Sequence, residues 1–294
     1  MIWPFNSRAR KSIARIEVTG VIAAATRKRV LKALEEIEER QFPALLLRID
    51  SPGGTVGDSQ EIYNALRRLQ DKMKIIASFG NISASGGVYI GMGANHIVAN
   101  PGTITGSIGV ILRGNNLERL LDRVGVSFKV IKSGPYKDIL AFDRELTDPE
   151  KNILQELIDV SYGQFVRTVA EARQLTEETV RSFADGRIFT GEQALHLGVV
   201  DRLGSEEEAK QWAAELAGLD PDKAEYVNFD EKKPVWRKLV PGGGGDGEAF
   251  VRQSSGGIAG LTAASLNLPA LNATLEWLEF ERSTSGLPLW LYRP

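Results

Sequence analysis

The stretch "PALLLRIDSPGG", residues 43–54, joins an apolar run to a glycine-rich turn. An apolar run without polar alternation is typical of a parallel strand that is covered on both faces. The segments on either side, residues 26–40 and 57–72, carry apolar residues at helical spacing, and "KIIASFG" (74–80) repeats the buried-strand pattern. Strands that alternate with helices predict an α/β layer structure with a mainly parallel sheet.

The same alternation extends in both directions along the chain. "SIARIEVTGVIA" (12–23) has the period of a strand, and "TITGSIGVIL" (103–112) and "SFKVIKSG" (127–134) are also predicted as strands. Beyond them the pattern becomes helical, with a long helix over 148–174 and another over 206–218. We therefore expect a mainly parallel sheet followed by a helical C-terminal part.

Composition limits the functional classes. The chain has 294 residues and a formal net charge of -2, so no overall charge attracts nucleic acid. It has no cysteine, which excludes disulfides, thiolate catalysis and cysteine-based zinc sites. No apolar run reaches the length of a membrane span, and the N-terminus does not read as a signal peptide. We expect a cytoplasmic or peripheral membrane protein, in which "MIWPF" (1–5) could touch a bilayer.

Three regions are expected along the chain: a flexible N-terminus (1–11), a folded domain (12–230), and an extension (231–294). The extension starts with a linker that contains four consecutive glycines. It ends in a segment with many large apolar residues, "EWLEFERSTSGLPLWLYRP" (276–294). We expect this tail to dock on its own domain, on a neighbouring subunit or on a membrane surface.

Two glycine-rich loops follow predicted strands, "DSPGG" (50–54) and "NISASGG" (81–87). Functional sites of open α/β sheets lie at the carboxyl ends of strands, and two converging backbone N–H groups make an oxyanion hole. Ser85 is the best nucleophile candidate, although a serine before two glycines is also typical of close packing between a strand and a helix. The sequence does not match the G-x-S-x-G elbow.

The base that would activate Ser85 is not a clear histidine. His96 and His196 are the only histidines, and neither has the surroundings expected of a triad. A lysine can serve if an apolar site keeps its amine neutral. Lys129, Lys132 and Lys137 are candidates, and composition alone does not rank them.

Four motifs in this order resemble the signal peptide peptidase A family of serine proteases, peptidase family S49, which has the ClpP/crotonase type of fold. They are "DSPGG" (50–54), "SASGGVYI" (83–90), "TGSIGV" (105–110) and "SGPYKDI" (133–139). The downstream segment "ADGRIFTGEQALHLGVVDRLG" (184–204) looks like the family as well, and the resemblance covers about residues 12–220. It implies stacked ββα units and makes 12–230 the protease domain.

The resemblance implies a Ser/Lys dyad with Ser85 as nucleophile and Lys137 as general base. Ser107 matches a serine that orients the lysine amine, and Gly53 and Gly86 match the oxyanion-hole donors. It further implies a serine endopeptidase for signal-peptide remnants and small apolar or unfolded peptides, with no metal or organic cofactor. In single-copy members the site forms between neighbouring subunits, which implies a homo-oligomeric ring with shared active sites.

Two departures from the family pattern stand out. Asp50 replaces a frequent asparagine, and we expect its carboxylate to point away from the oxyanion hole. We also expect no N-terminal membrane span of the kind that many members carry. Two other functions stay open: a crotonase-like acyl-CoA enzyme with a carboxylate base, and a ring-forming scaffold without turnover.

Overall fold

The computed structural model describes residues 9–230 and 289–291. Residues 289–291 belong to the same structural unit as residues 9–230. Most of the predicted flexible N-terminus and most of the predicted linker and extension, including four of the seven large apolar residues between 277 and 291, lie outside the described residues.

A mainly parallel sheet forms the centre of the domain. Its strands are β1 (Ser12–Thr19), β2 (Ala44–Ser51), β4 (Lys74–Ala84), β5 (His96–Ala99), β6 (Ile104–Gly106), β7 (Ile188–Thr190), β8 (Arg202–Leu203) and β9 (Glu225–Asn228). The order is β7-β6-β4-β2-β1-β9, with β5 between β4 and β8. All these pairs are parallel except β6–β7. The predicted parallel sheet is therefore confirmed.

Helices cover both faces of this sheet. They are α1 (Ala24–Glu39), α2 (Val56–Leu69), α3 (Gly86–Gly91), α4 (Glu118–Arg123), α5 (Asp148–Arg173), α6 (Glu177–Arg181), α7 (Gly191–His196) and α8 (Glu206–Leu216). The larger core lies between one face and residues of α1, α2, α3 and α5. A smaller core lies on the other face against alanines of α8. Burial on both faces explains the unbroken apolar runs of β2 and β4.

The long strand β4 changes neighbours along its length and so positions the loop that follows it. Its first half pairs with β5, and its last residues, 82–84, pair with β6. On the other side the register with β2 shifts between Ile49 and Ser51, so that Ser51 lies opposite Ser83. A bulge of this kind bends the strand and redirects the residues beyond it.

Three local predictions were wrong. Residues 127–134 form no strand, and the 103–112 strand is reduced to β6 (Ile104–Gly106). Residues 127–133 are exposed throughout, so no neighbouring strand of the described chain pairs with them. Conversely, part of the predicted loop 51–56 is a short strand, β3 (Gly53–Thr55), which pairs with β10 (Leu289–Leu291).

Candidate functional site

Ser85 lies on a strained turn between β4 and α3. Its backbone has φ 53° and ψ -115°, outside the regions that a serine normally adopts. Its N–H donates to the Gly106 carbonyl at 2.8 Å, which joins the turn to the end of β6. Such a conformation costs on the order of 1–3 kcal/mol and persists only where the surrounding structure enforces it.

The Ser85 hydroxyl is buried without a partner. The residue is 1% exposed, and its Oγ has no hydrogen bond to any of the described residues. The Oγ of Ser83 is in the same condition. A buried polar group that is left unpaired costs about 1–3 kcal/mol, so a fold selected only for stability would not retain it on a strained turn.

The two glycine-rich loops meet at this turn. A Cβ added at Gly87 would lie 3.1 Å from the Ser51 carbonyl oxygen and 3.3 Å from Ser83 Oγ, so glycine permits the close approach. Gly53 has φ 108°, in a region open to glycine. Gly86 is the first residue of α3, where an N–H has no partner within its own helix.

The Gly53 amide already has a partner that the sequence did not reveal. Its N–H donates to Ser51 Oγ at 3.1 Å. Ser51 is fully buried and accepts this bond from within the same loop. Gly53 can therefore serve an oxyanion only by exchanging this hydroxyl for the substrate oxygen.

Ser107 lies close to Ser85 through the backbone. It follows Gly106, the residue whose carbonyl accepts the Ser85 N–H, and has φ 51°. Its own N–H donates to the Arg187 carbonyl at 2.7 Å, which fixes the strained turn, and its side chain is buried. The structure therefore brings Ser85, Ser107 and the loop of Gly53 together at the ends of neighbouring strands.

Lys137 is not brought to Ser85 within the described chain. It lies on an exposed turn, and its N–H donates to the Gly134 carbonyl at 3.3 Å. Because Ser85 Oγ has no partner among the described residues, the Lys137 amine does not reach it in a single chain.

Ion pairs hold the Lys137 turn on the start of α5. Arg144 donates to Asp138 at 2.9 Å and to Glu150 at 2.5 Å, and Lys132 donates to Asp138 at 2.6 Å. The hydrogen bonds from Arg144 and then Lys132 lower the pKa of Asp138 to about 2. The Arg144 hydrogen bonds and then the Thr147 amide lower the pKa of Glu150 to about 2. Lys132 is thus committed to an ion pair.

Many exposed large apolar side chains lie in the chain segment that contains this turn and in the helix that follows it. Exposed apolar patches mark protein or membrane contacts. The side chains come from the segment 111–142 and from the N-terminal half of α5: Ile111, Leu117, Leu120, Val124, Val126, Phe128, Val130, Ile131, Tyr136, Phe142, Ile153, Leu157 and Val160. We call these residues the apolar face.

Asp50 points into the bulge of β4. Its carboxylate accepts hydrogen bonds from the Asn81 amide at 3.3 Å, the Asn81 side chain at 3.1 Å and the Ile82 amide at 3.1 Å. A Cβ at Gly80 would lie 2.6 Å from the carboxylate, so glycine makes room for it. Sequence reasoning missed this structural role, because only the register shift brings residue 50 beside 81 and 82.

A second missed contact connects α3 to α5. Tyr89 accepts a hydrogen bond from the Thr168 hydroxyl at 3.1 Å, and its ring packs edge-on against Tyr63 and Phe165. The helix that starts beside Ser85 is thereby fixed to the helix that carries part of the apolar face. Helical spacing gives no sign of this hydrogen bond, because it joins residues that are far apart in the chain.

Within residues 9–230 and 289–291, no group of three or more acidic or histidine side chains is placed to hold a metal ion. No helix in this part of the chain has both the length and the apolar character needed to cross a bilayer.

Comparison with known proteins gives consistent matches. Residues 67–220 match the family described as peptidase family S49. A Synechocystis sp. protein named "Putative protease slr0021" is 66% identical over 293 residues, which cover 100% of both chains. An Enterococcus faecium protein named "Putative signal peptide peptidase SppA" is 35% identical over 68% of this chain and 62% of its own.

One solved structure shares the fold. A mutant of the 1510-N membrane-bound stomatin-specific protease superposes with a TM-score of 0.51 at 16% identity, over 76% of this chain and 100% of that one. At that level of identity the likeness concerns the fold alone, and it agrees with the α/β architecture described above.

Proposed function

The chain belongs to peptidase family S49 and is a serine protease, and we propose that Ser85 is its nucleophile and Lys137 its general base. The observation that carries this proposal is the state of Ser85. Its backbone is strained, and its hydroxyl is buried without a partner in the described chain. Both features are costly, and a nucleophile that waits for a base and a carbonyl carbon accounts for both.

In the proposed reaction, the neutral Lys137 amine accepts the Ser85 proton while Ser85 Oγ attacks the scissile carbonyl carbon. The resulting oxyanion takes hydrogen bonds from the amides of Gly53 and Gly86, each worth about 3 kcal/mol of barrier. Gly53 releases Ser51 Oγ at this step. The lysine then returns the proton to the leaving amine, and water hydrolyses the acyl-enzyme by the same proton transfers.

The base must be desolvated, and the described chain alone does not desolvate it. An exposed lysine amine is almost wholly protonated at neutral pH. We propose that the Lys137 turn of one subunit packs over the Ser85 turn of the next, with Ser107 holding the amine. The apolar face supports this arrangement, because most of its residues belong to the segment that carries the turn and would be buried between subunits of a ring.

The proposed substrates are extended peptides: signal-peptide remnants, small apolar peptides or unfolded segments. A buried serine at the end of a strand suits a chain that approaches as an additional strand, because backbone hydrogen bonds then align the scissile bond. A ring of subunits would exclude folded proteins.

The first test uses a fluorophosphonate probe and a peptide-hydrolysis assay on the parent chain, Ser85→Ala and Lys137→Ala. We expect labelling of Ser85 in the parent and loss of both labelling and hydrolysis in each variant. Lys129→Ala is the matched control, because that exposed lysine was also a candidate base and lies outside the ion pairs of the Lys137 turn, and its hydrolysis should survive. Full hydrolysis by Lys137→Ala would overturn the dyad, and an intact ring without labelling would favour the scaffold.

The second test mixes the two inactive variants. If the dyad forms between subunits, a Lys137→Ala subunit still supplies Ser85 and a Ser85→Ala subunit still supplies Lys137. A mixed ring then regains a complete site at each interface where the first supplies the serine and the second supplies the lysine. Random equal mixing gives such a pairing at about a quarter of interfaces in a cyclic assembly. Recovery of about a quarter of the parent activity is expected after dissociation and reassembly. No recovery in correctly sized rings would contradict a shared site.

A further inference from the structure

One edge of the strand β3 is bonded to Ile22, and its other edge faces away from Ile22. The Ile22 N–H donates to the Gly53 carbonyl at 2.8 Å, and the Thr55 N–H donates to the Ile22 carbonyl at 3.0 Å. Alternate residues of a strand present their N–H and C=O groups to opposite sides. The backbone groups of Gly54, between these two, therefore face away from Ile22.

The C-terminal strand β10 is seated on this second edge. It runs antiparallel to β3, with Leu291 opposite Gly53, Trp290 opposite Gly54 and Leu289 opposite Thr55. Since the Gly54 groups face β10, the Gly54–Trp290 pair is the one that exchanges backbone hydrogen bonds. Glycine is needed at position 54, because a Cβ there would lie 1.9 Å from the Ile22 carbonyl oxygen.

This edge lies beside the candidate nucleophile. β3 begins at Gly53, the proposed oxyanion donor, and Ser51 just before it pairs with Ser83 on β4, two residues before Ser85. β10 also approaches α3, the helix that starts after Ser85. A peptide that adds to β3 as an antiparallel strand would thus lie along the nucleophile, where β10 lies now.

We propose that the edge of β3 opposite Ile22 binds an extended peptide strand and that the chain's own β10 occupies this edge as an intramolecular competitor. The protein is then self-inhibited, and a substrate strand must displace residues 289–291 to reach Ser85. This inference rests on the proposed function, since it assigns the competing strand to the same serine. It selects docking on the chain's own domain from the three alternatives for the tail.

Tethering sets the size of the effect. A tethered strand competes at an effective concentration that depends on its linker. If the effective concentration is roughly 1 mM and the tethered strand binds with a Kd of about 0.1 mM, the apparent KM rises about tenfold. Because the strand only competes with substrate for the same edge, kcat is unchanged. A purely structural strand would instead change stability and kcat together.

The binding test does not depend on turnover. The protein is the full chain shortened after Pro288 and carrying Ser85→Ala, and the probe is the fluorescent peptide "SGLPLWLYRP" of residues 285–294. Fluorescence anisotropy should give a Kd near 0.1 mM. The matched peptides carry an N-methyl group on Trp290 or on Leu291. The first removes the amide hydrogen that faces Gly54, and the second removes one that faces away.

We expect N-methylation at Trp290 to weaken binding at least tenfold and at Leu291 less than threefold. Equal weakening by both, or no binding at 1 mM, would overturn the proposal. The kinetic test uses the shortened chain with Ser85 intact, together with the full-length variants Trp290→Pro and Leu291→Pro. The shortened chain and Trp290→Pro should each lower KM about tenfold, and Leu291→Pro should not.

The two proposals fail differently. An unchanged KM in the shortened chain and in Trp290→Pro would refute self-inhibition while hydrolysis by Ser85 stands. Hydrolysis that survives Ser85→Ala would refute the proposed nucleophile, and the peptide-binding result would still show whether β3 takes the tail.

Discussion

Removing the Asp50 carboxylate should loosen the bulge that positions the nucleophile turn. In the native structure the carboxylate accepts the Ile82 amide at 3.1 Å and the Asn81 amide and side chain at 3.3 and 3.1 Å. These bonds stabilise the register in which Ser51 lies opposite Ser83. Asp50→Ala removes all three bonds, and Asp50→Asn keeps one acceptor.

The size of the effect follows from these bonds. A hydrogen bond to a charged group contributes about 1.5–3 kcal/mol, and the lower end applies to the partly buried Ile82 bond. The two bonds to the exposed Asn81 contribute about 0.5 kcal/mol each, because water replaces them readily. Asp50→Ala should then cost about 2–3 kcal/mol, which lowers Tm by roughly 5–10 °C in a domain of this size.

The assay is thermal unfolding followed by circular dichroism, together with peptide hydrolysis at 25 °C. We expect Asp50→Asn to lie between Asp50→Ala and the parent. Misplacement of the turn should lower kcat at least about tenfold in Asp50→Ala. Asp71→Ala is the matched control, since this exposed aspartate should change stability by less than about 0.5 kcal/mol. A Tm for Asp50→Ala within 1 °C of the parent would refute the reasoning.

Three further perturbations test other parts of the structure. Gly54→Ala places a methyl group against a backbone carbonyl 1.9 Å away, so it should cost at least about 2 kcal/mol in urea denaturation and abolish hydrolysis. Tyr89→Phe leaves the buried Thr168 hydroxyl without this acceptor. It should cost about 1–2 kcal/mol, with a coupling to Thr168→Val in a double-mutant cycle. Arg144 lowers the pKa of Glu150 from its usual 4.5 to about 2. The resulting stabilisation should be complete above about pH 4.5 and disappear as the pH falls towards 2, so the Tm difference between the parent and Glu150→Gln should shrink over that interval.

The elements that the sequence predicted well are those whose pattern reflects burial. The structure contains the five elements that such patterns predicted. Apolar runs predicted β2 and β4, and helical spacing predicted α1, α2 and α5, because both patterns indicate which side chains are buried. The segment 127–134 has the composition of a strand and is exposed in the described chain. Strand composition does not supply a neighbouring edge, and a strand without one leaves its backbone groups unpaired.

The site shows the same division. From the sequence alone, the small residues around Ser85 indicated a tight turn, and the four ordered motifs indicated the family. The sequence did not predict three features of the site, because each depends on how distant segments meet. They are the unpaired Ser85 hydroxyl, the hydrogen bond from the Gly53 amide to Ser51 Oγ, and the separation of Lys137 from Ser85.

By itself, the sequence determined a parallel α/β domain, a serine on a glycine-rich turn and membership of a protease family, since periodicity and local motifs are properties of neighbouring residues. Only the tertiary structure decided that Asp50 holds the β4 bulge, that Lys137 lies away from Ser85 in one chain, and that β10 lies on β3. Those outcomes come from backbone and side-chain hydrogen bonds between residues far apart in the chain. Their donors and acceptors are present in nearly every residue, so no local pattern shows which of them will pair.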